Sequence, residues 1–298
     1  MPELPDITIY IEALQRRVLG ARLQATRITH PFLLRTFDPT IDTLYGRRVD
    51  AIERVGKRVA FGFEGDHWLM LHLMIAGRLH WIAAGAARPK RAALASFVFD
   101  SGILTLTEAG TKRRASLSVF SSRAQLAMHD PRGLEVLAAS FEEFRAGLMS
   151  ENHTLKRSLT DPRTFSGIGN AYSDEILHRA KLSPIALTQK LDESSIRGLY
   201  EAVRAVLLEW TARLRAQAGD EFPEKVTAFR PEMAVHGRFG KPCPACGTTV
   251  QRIRYAENET NYCPRCQTGG RILADRSLSR LLKDDWPRTI EELEAGKA

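Results

Sequence analysis

CPACGTTVQRIRYAENETNYCPRC, residues 243–266, contains all four cysteines of the chain in the spacing C-x₂-C-x₁₆-C-x₂-C. Cys243 and Cys263 are each followed by a proline, Pro244 and Pro264. Two such close pairs, Cys243 with Cys246 and Cys263 with Cys266, are how two tight turns aim four sulfurs at one tetrahedral Zn²⁺. Four thiolates close the coordination shell, so one structural ion is expected, with no open position for catalysis. A redox pair or two disulfides would use the same residues. No secretory signal is legible at the start of the 298-residue chain, so a cytoplasmic protein is expected, and disulfides are rare there. The zinc holds something in place, and the rest of the chain must say what.

Working outward, the length of 298 residues suggests about two domains, and a hydrophobic content of 44% is enough for real cores. No apolar run approaches the ~18 residues of a membrane span. Net charge is +8 and the sequence pI about 9.5. A basic chain with a zinc module makes nucleic acid the leading partner, although many basic proteins are merely well solvated.

The period of the apolar residues changes along the chain. Ile7, Tyr10, Ile11, Leu14 and Val18 recur at helical spacing, and Gly20 is a natural stop. From there to about residue 120 the period is two: Val59, Phe61 and Phe63, then Trp68 to Leu73, Ser96 to Phe99, Ile103 to Thr107 and Leu117 to Phe120. Several short strands in a row predict an antiparallel sandwich or barrel. Residues 84–95, rich in Ala, Arg and Pro, read as a loop. After about residue 140 the helical period returns: a short helix at Leu155 to Leu159, a second from Ala171 to Arg179, and a long one from Ser194 to about Ala218, ended by Gly219. The fold class predicted is α+β.

Candidate chemistry is spread over this frame. Removal of Met1 leaves Pro2 with a secondary amine, and an α-amine of ordinary pKa is partly neutral near pH 7 and can attack an electrophilic carbon. Glu3 beside it could move a proton. On the residues alone, Pro2-Glu3 reads as plain helix entry. Lys57, in Arg54-Val55-Gly56-Lys57-Arg58, suits close approach to a phosphate, or guards an exposed sheet edge. Thr111-Lys112-Arg113-Arg114 is a cationic loop between two strands, solvated or pushed into a groove. Gly167-Ile168-Gly169-Asn170 opens a helix whose amides favour an anion, with Lys156 one helix earlier. The alternative is an interhelical turn with Asn170 as cap.

The order of these pieces is more specific than any one of them. PELPD at residues 2–6, the stretch from Gly56 through HLMIAG at 72–77, GIGNAY at 167–172 and CPAC…YCPRC together resemble the formamidopyrimidine-DNA glycosylase/endonuclease VIII family of base-excision repair enzymes. The resemblance covers residues 1–266. It implies an N-terminal antiparallel β-sandwich with flanking helices over 1–140, a helix–two-turn–helix DNA-binding domain over 141–235 and a four-cysteine zinc finger over 236–270, which leaves 271–298 as an extension beyond the family pattern. It also implies a monomer acting on damaged double-stranded DNA, with abasic or single-stranded DNA as further substrates. In that family Pro2 attacks C1′ of the damaged nucleoside, Glu3 assists sugar-ring opening, and the Schiff base activates the strand to elimination. Lys57 matches the lysine that contacts phosphate. Lys156 and the amides around Asn170 grip the backbone, and Arg113 and Arg114 probe the duplex.

Some positions depart from the family pattern. The probing loop of oxoguanine-type members ends in a phenylalanine where this chain has Ala115, and the methionine that fills the vacated space is Ile75. Asp130-Pro131-Arg132 looks like that loop but comes too late in the chain. Asn258 stands where an arginine is expected on the zinc hairpin, and Arg271, after Gly269-Gly270, is a candidate substitute. Beyond Cys266 the chain continues with Arg271, Arg276, Arg280 and Lys283, then an acidic stretch from Asp284. Two competing functions stay open: a non-catalytic binder of damaged DNA, and an enzyme preferring abasic or single-stranded sites.

Overall fold

The computed structural model describes residues 1–86, 93–109, 112–224, 226–227, 229–255, 258–275 and 287–295. Thr111, part of the predicted loop at 84–95, the side chain of Asn258, and Arg276, Arg280, Lys283 and Asp284 lie outside the described residues. The chain divides into two compact units, 1–131 with 209–227, and 132–208 with 228–298. Among the described residues no helix is long and apolar enough to cross a membrane.

The first unit is the antiparallel sandwich. One sheet has the order β1 (Leu23–Ile28), β6 (Ala95–Phe99), β7 (Gly102–Glu108), β5 (Gly77–Ala83). The other runs β2 (Val49–Val55), β3 (Arg58–Phe63), β4 (His67–His72), β8 (Ser116–Phe120). Val59, Phe61, Leu69, Leu71, Leu79, Phe97, Leu104, Leu106 and Leu117 are buried, each worth ~1.5–3 kcal/mol over exposure. β3 is buried on both faces, because Ala60 joins Val55, Trp68, Met70, Phe120 and Leu126 in a second cluster. Gly62 belongs there: a Cβ would stand 2.8 Å from the Trp68 ring. β1, which buries only Leu23, lacks the alternation that announces a strand.

Helix α1 spans Leu4–Val18 and buries Ile7, Tyr10, Leu14 and Val18, as its period predicts. Its entry is capped by the Asp6 carboxylate, which accepts from the Glu3 N–H at 3.0 Å. The end of the long helix α6 (Glu193–Ala218) and the segment after it pack in this unit as well. The Arg215 guanidinium forks onto the Glu12 carboxylate at 2.9 and 2.6 Å, and Phe222 lies 5.8 Å from Tyr10, centroid to centroid. His80 bonds both Glu224 and Thr107.

The second unit joins short helices to a two-stranded hairpin. α3 (Phe141–Met149) starts with a capping box, the Ser140 hydroxyl accepting from the Glu143 N–H at 3.3 Å. α4 (Leu155–Thr160) and α5 (Asn170–Arg179) follow. Gly169, not Asn170, is the N-cap of α5, so Asn170 is its first helical residue. The hairpin is β9 (Gln251–Tyr255) with β10 (Asn258–Tyr262), leading into α7 (Pro264–Thr268). Part of the extension returns onto this module. The Ile272 N–H donates to Arg288 O at 2.8 Å and Ile290 N–H to Gly270 O at 3.1 Å, and Leu273 packs with Ile253 and Tyr262. The α+β class, with sandwich first and four-cysteine module last, is the observed one.

Candidate functional site

In the first unit the chain start is partly sunk into the protein. Pro2 and Glu3 are buried and Met1 is half-buried. Burial pushes the terminal amine below its usual range; the Glu3 and Asp6 carboxylates oppose that shift, while Arg78 and Lys57 add to it. Two residues named from sequence, Glu3 and Lys57, thus bear on the amine's charge, together with two that sequence reading missed, Asp6 and Arg78.

Lys57 occupies the tip of the β2–β3 hairpin, with Val55 opposite Arg58 across a two-residue turn. Gly56 takes φ +61°, which a left-handed first turn position requires, and Arg54 Nη1 braces its carbonyl at 2.7 Å. Beside it His72 is held neutral, its pKa driven down to about 4, first by burial and then by Arg58 and Lys57. The turn after β4 is tight: a Cβ on Gly77 would meet Leu73 O at 2.2 Å, and Met74 has φ +50°. Arg78 Nη1 donates to Gly77 O at 2.6 Å and holds this turn. Ile75 at its tip is 56% exposed. Both His72 and Arg78 lie in or next to the HLMIAG run, which was the only signal for them.

The basic loop is shaped from below. The Glu108 carboxylate accepts from the N–H groups of Arg114 (3.0 Å) and Ala115 (3.1 Å). Lys112, Arg113 and Arg114 are exposed, whereas Ala115 is turned in and buried.

In the second unit GIGNAYSDE forms the start of α5 and organises a buried polar hub. Asp174 is fully buried; its Oδ1 accepts from Lys156 Nζ at 2.5 Å and its Oδ2 faces His236 Nδ1 at 2.8 Å and accepts from Asn261 N–H at 3.1 Å. Lys156 Nζ also donates to Asn170 O at 2.7 Å, so its charge is engaged within the protein. Glu175 accepts from the N–H groups of Ala234, Val235 and His236 at 2.7–2.9 Å. Burial raises its pKa, and those three amides oppose the shift. Asp174, Glu175 and His236 were not singled out from sequence; two consecutive acids in a helix read as a solvated face until the fold buries them.

The four cysteine sulfurs all lie within 4.8 Å of one another, Cys246 to Cys263 at 3.4 Å and Cys243 to Cys266 at 4.0 Å. Zn–S bonds of ~2.3 Å in a tetrahedron put sulfurs ~3.8 Å apart, so the cage fits one structural zinc. A disulfide needs ~2.05 Å, and all four thiols are free. His178 Nε2, 3.3 Å from Cys243 Sγ, is placed to orient that ligand. Arg271 is exposed just past α7, and its backbone bridges to Thr289. Its neighbourhood is therefore the returning tail.

Three family models match the chain: the formamidopyrimidine-DNA glycosylase N-terminal domain over residues 1–137, the formamidopyrimidine-DNA glycosylase H2TH domain over 133–216, and the zinc finger found in FPG and IleRS over 240–269. A formamidopyrimidine-DNA glycosylase of Heliobacterium modesticaldum is 30% identical, over 90% of this chain and 100% of its own length. A formamidopyrimidine-DNA glycosylase-like protein of Mycobacterium tuberculosis is 43% identical over 51% of this chain and 96% of its own. Among solved structures, a complex between Lactococcus lactis Fpg and abasic-site DNA superposes with a TM-score of 0.77 at 26% identity, covering 89% of this chain and 99% of that one. The chain belongs to the formamidopyrimidine-DNA glycosylase family of DNA-repair glycosylases.

Proposed function

We propose that this protein is a bifunctional DNA glycosylase and abasic-site lyase that removes oxidised bases from DNA, with the Pro2 amine as nucleophile. The setting of the chain start supports the reading: Pro2 and Glu3 are buried, and the Met1 amine beside them is biased toward its neutral form by burial while feeling the charges of Glu3, Arg78, Asp6 and Lys57. A neutral amine has the lone pair that attack requires. Removal of Met1 leaves the free amine on Pro2, which is itself buried.

In this mechanism the Pro2 nitrogen bonds to C1′ as the glycosidic bond breaks, and the electron pair leaves with the base, which takes up a proton. Glu3 transfers a proton to the ring oxygen as the sugar opens to an iminium. Loss of a C2′ proton then expels the 3′ phosphate and cuts the strand. Lys57, at its hairpin tip, binds phosphate at the reacting nucleotide. The amides at the start of α5, braced by Lys156 through Asn170, take another phosphate. The nucleotide must leave the stack, which costs a few kcal/mol and is cheapest at a damaged base.

Borohydride trapping on abasic-site DNA tests this reading. A covalent adduct should form with the processed protein and be absent when a peptide tag blocks the amine. Full activity in a tagged protein would refute the proposal.

A further inference from the structure

The segment His30–Phe37 presents two aromatic rings to solvent. Phe32 is 73% and Phe37 86% exposed. The segment itself is anchored. Leu33 is buried, Leu34 pairs in parallel with Leu117, the Arg35 N–H donates to Leu117 O at 2.8 Å, and the Thr36 hydroxyl accepts from Val119 N–H at 2.8 Å. It therefore lies along β8, the outer strand of the order β2-β3-β4-β8. The parallel register brings Phe32 level with the start of β8, directly after the exposed cations Lys112, Arg113 and Arg114. His30 lies 5.7 Å from Phe32, ring to ring, and Arg35 is exposed between the two phenylalanines.

The chemistry of this face selects its partner. Rings held by an anchored backbone offer flat apolar faces at little entropic cost on binding. Four exposed cations, Arg35, Lys112, Arg113 and Arg114, set the charge; Asp38, next to Phe37, is the exposed acid of the segment. Glu108 is occupied with the loop amides. A peptide strand cannot add at Leu117 and Val119, because the segment already takes those edge groups. Aromatic faces interleaved with cations suit unpaired bases on a phosphate backbone, and every base has a face to stack.

We propose that Phe32 and Phe37, with Arg35 between them, form a stacking surface for unpaired bases of a DNA single strand, whose phosphates are drawn by Lys112, Arg113 and Arg114. This rests on the reading that the chain binds DNA, and adds a strand-binding face to it.

The test uses the full-length zinc-loaded protein, a fluorescein-labelled oligothymidine, and an undamaged duplex of equal length, read by anisotropy at one salt concentration. The double variant Phe32→Ala/Phe37→Ala should lose roughly tenfold or more in single-strand affinity, while duplex affinity moves by less than about twofold. Its melting temperature should be unchanged, because both rings are exposed. Phe32→Tyr/Phe37→Tyr should keep single-strand binding; Phe32→Leu/Phe37→Leu, apolar but without a π-face, should lose it like the alanine pair. Unchanged single-strand affinity in the alanine pair overturns the inference, as do equal losses on both probes or wild-type binding by the leucine pair. A wild-type dimer that the alanine pair dissociates, with DNA affinity unchanged, assigns the surface to a second copy and also overturns it. A wild-type protein that binds neither probe sinks the DNA-binding reading itself.

Discussion

Asn170 Nδ2 donates to the carbonyl oxygen of Glu259 at 2.9 Å, tying the first residue of α5 to β10 of the zinc hairpin. The helix start and the metal module are one mechanical piece, although 89 residues separate these two in sequence. Asn170→Ala removes that tie and should cost ~0.5–1.5 kcal/mol of stability in urea unfolding. Unchanged stability would mean that water replaces the bond without loss.

The hub behind that tie matters more. Asp174→Asn leaves the Lys156 ammonium, 14% exposed, without its counter-charge and turns an acceptor set into a partial donor set. Breaking a buried pair from one side costs ~3–5 kcal/mol, so the second unit should unfold at clearly lower denaturant. A loss below about 1 kcal/mol, the range of exposed pairs, would show that the pair is effectively solvated.

One Zn²⁺ per chain should be found by elemental analysis of the purified protein. Cys263→Ser should lose it, weaken DNA binding and leave the sandwich folded, since the cage and its small core of Val235 and Val250 lie in the second unit. Stoichiometric zinc retained in that variant contradicts the ligand set.

His72 supplies a pH dependence. Its folded pKa is lowered from the ordinary histidine value of 6.5 to about 4, so on acidification the unfolded chain takes up the proton first. Stability due to the neutral imidazole is present above about pH 6.5 and is lost as pH falls toward about 4. His72→Gln should flatten that slope in denaturation series across this window. A ring titration by NMR with a midpoint near the ordinary histidine value would remove the basis for it.

With Ala115 buried and Ile75 the exposed tip of its turn, little apolar surface stands ready to fill the gap left by a flipped nucleotide. Less inserted surface offsets less unstacking. Weak discrimination of the opposite base should follow, with good activity on abasic or single-stranded sites. Cleavage of one lesion opposite each of the four bases, and in a single strand, measures this. A strong preference for 8-oxoguanine opposite cytosine with little single-strand activity would return the protein to the oxoguanine type.

Local pattern was enough for much of this protein. The C-x₂-C-x₁₆-C-x₂-C spacing determined the cage, because two short turns leave four sulfurs few other places to go. The period of Ile7, Tyr10, Leu14 and Val18 determined α1, since one face of a helix had to be buried. The alternation of Val59, Phe61 and Phe63 announced β3. Tertiary structure alone decided the rest. It turned the Asp174-Glu175 pair inward, where lysine, histidine and backbone donors from distant segments meet it. It brought Arg78 and Lys57 to bear on the chain start and pressed His72 toward neutrality, which are matters of distance and burial. It also turned Ala115 in and left Phe32 and Phe37 out. Spacing records what neighbours along the chain can do together; charge and burial depend on neighbours across space, and only the folded sandwich and zinc module supply those.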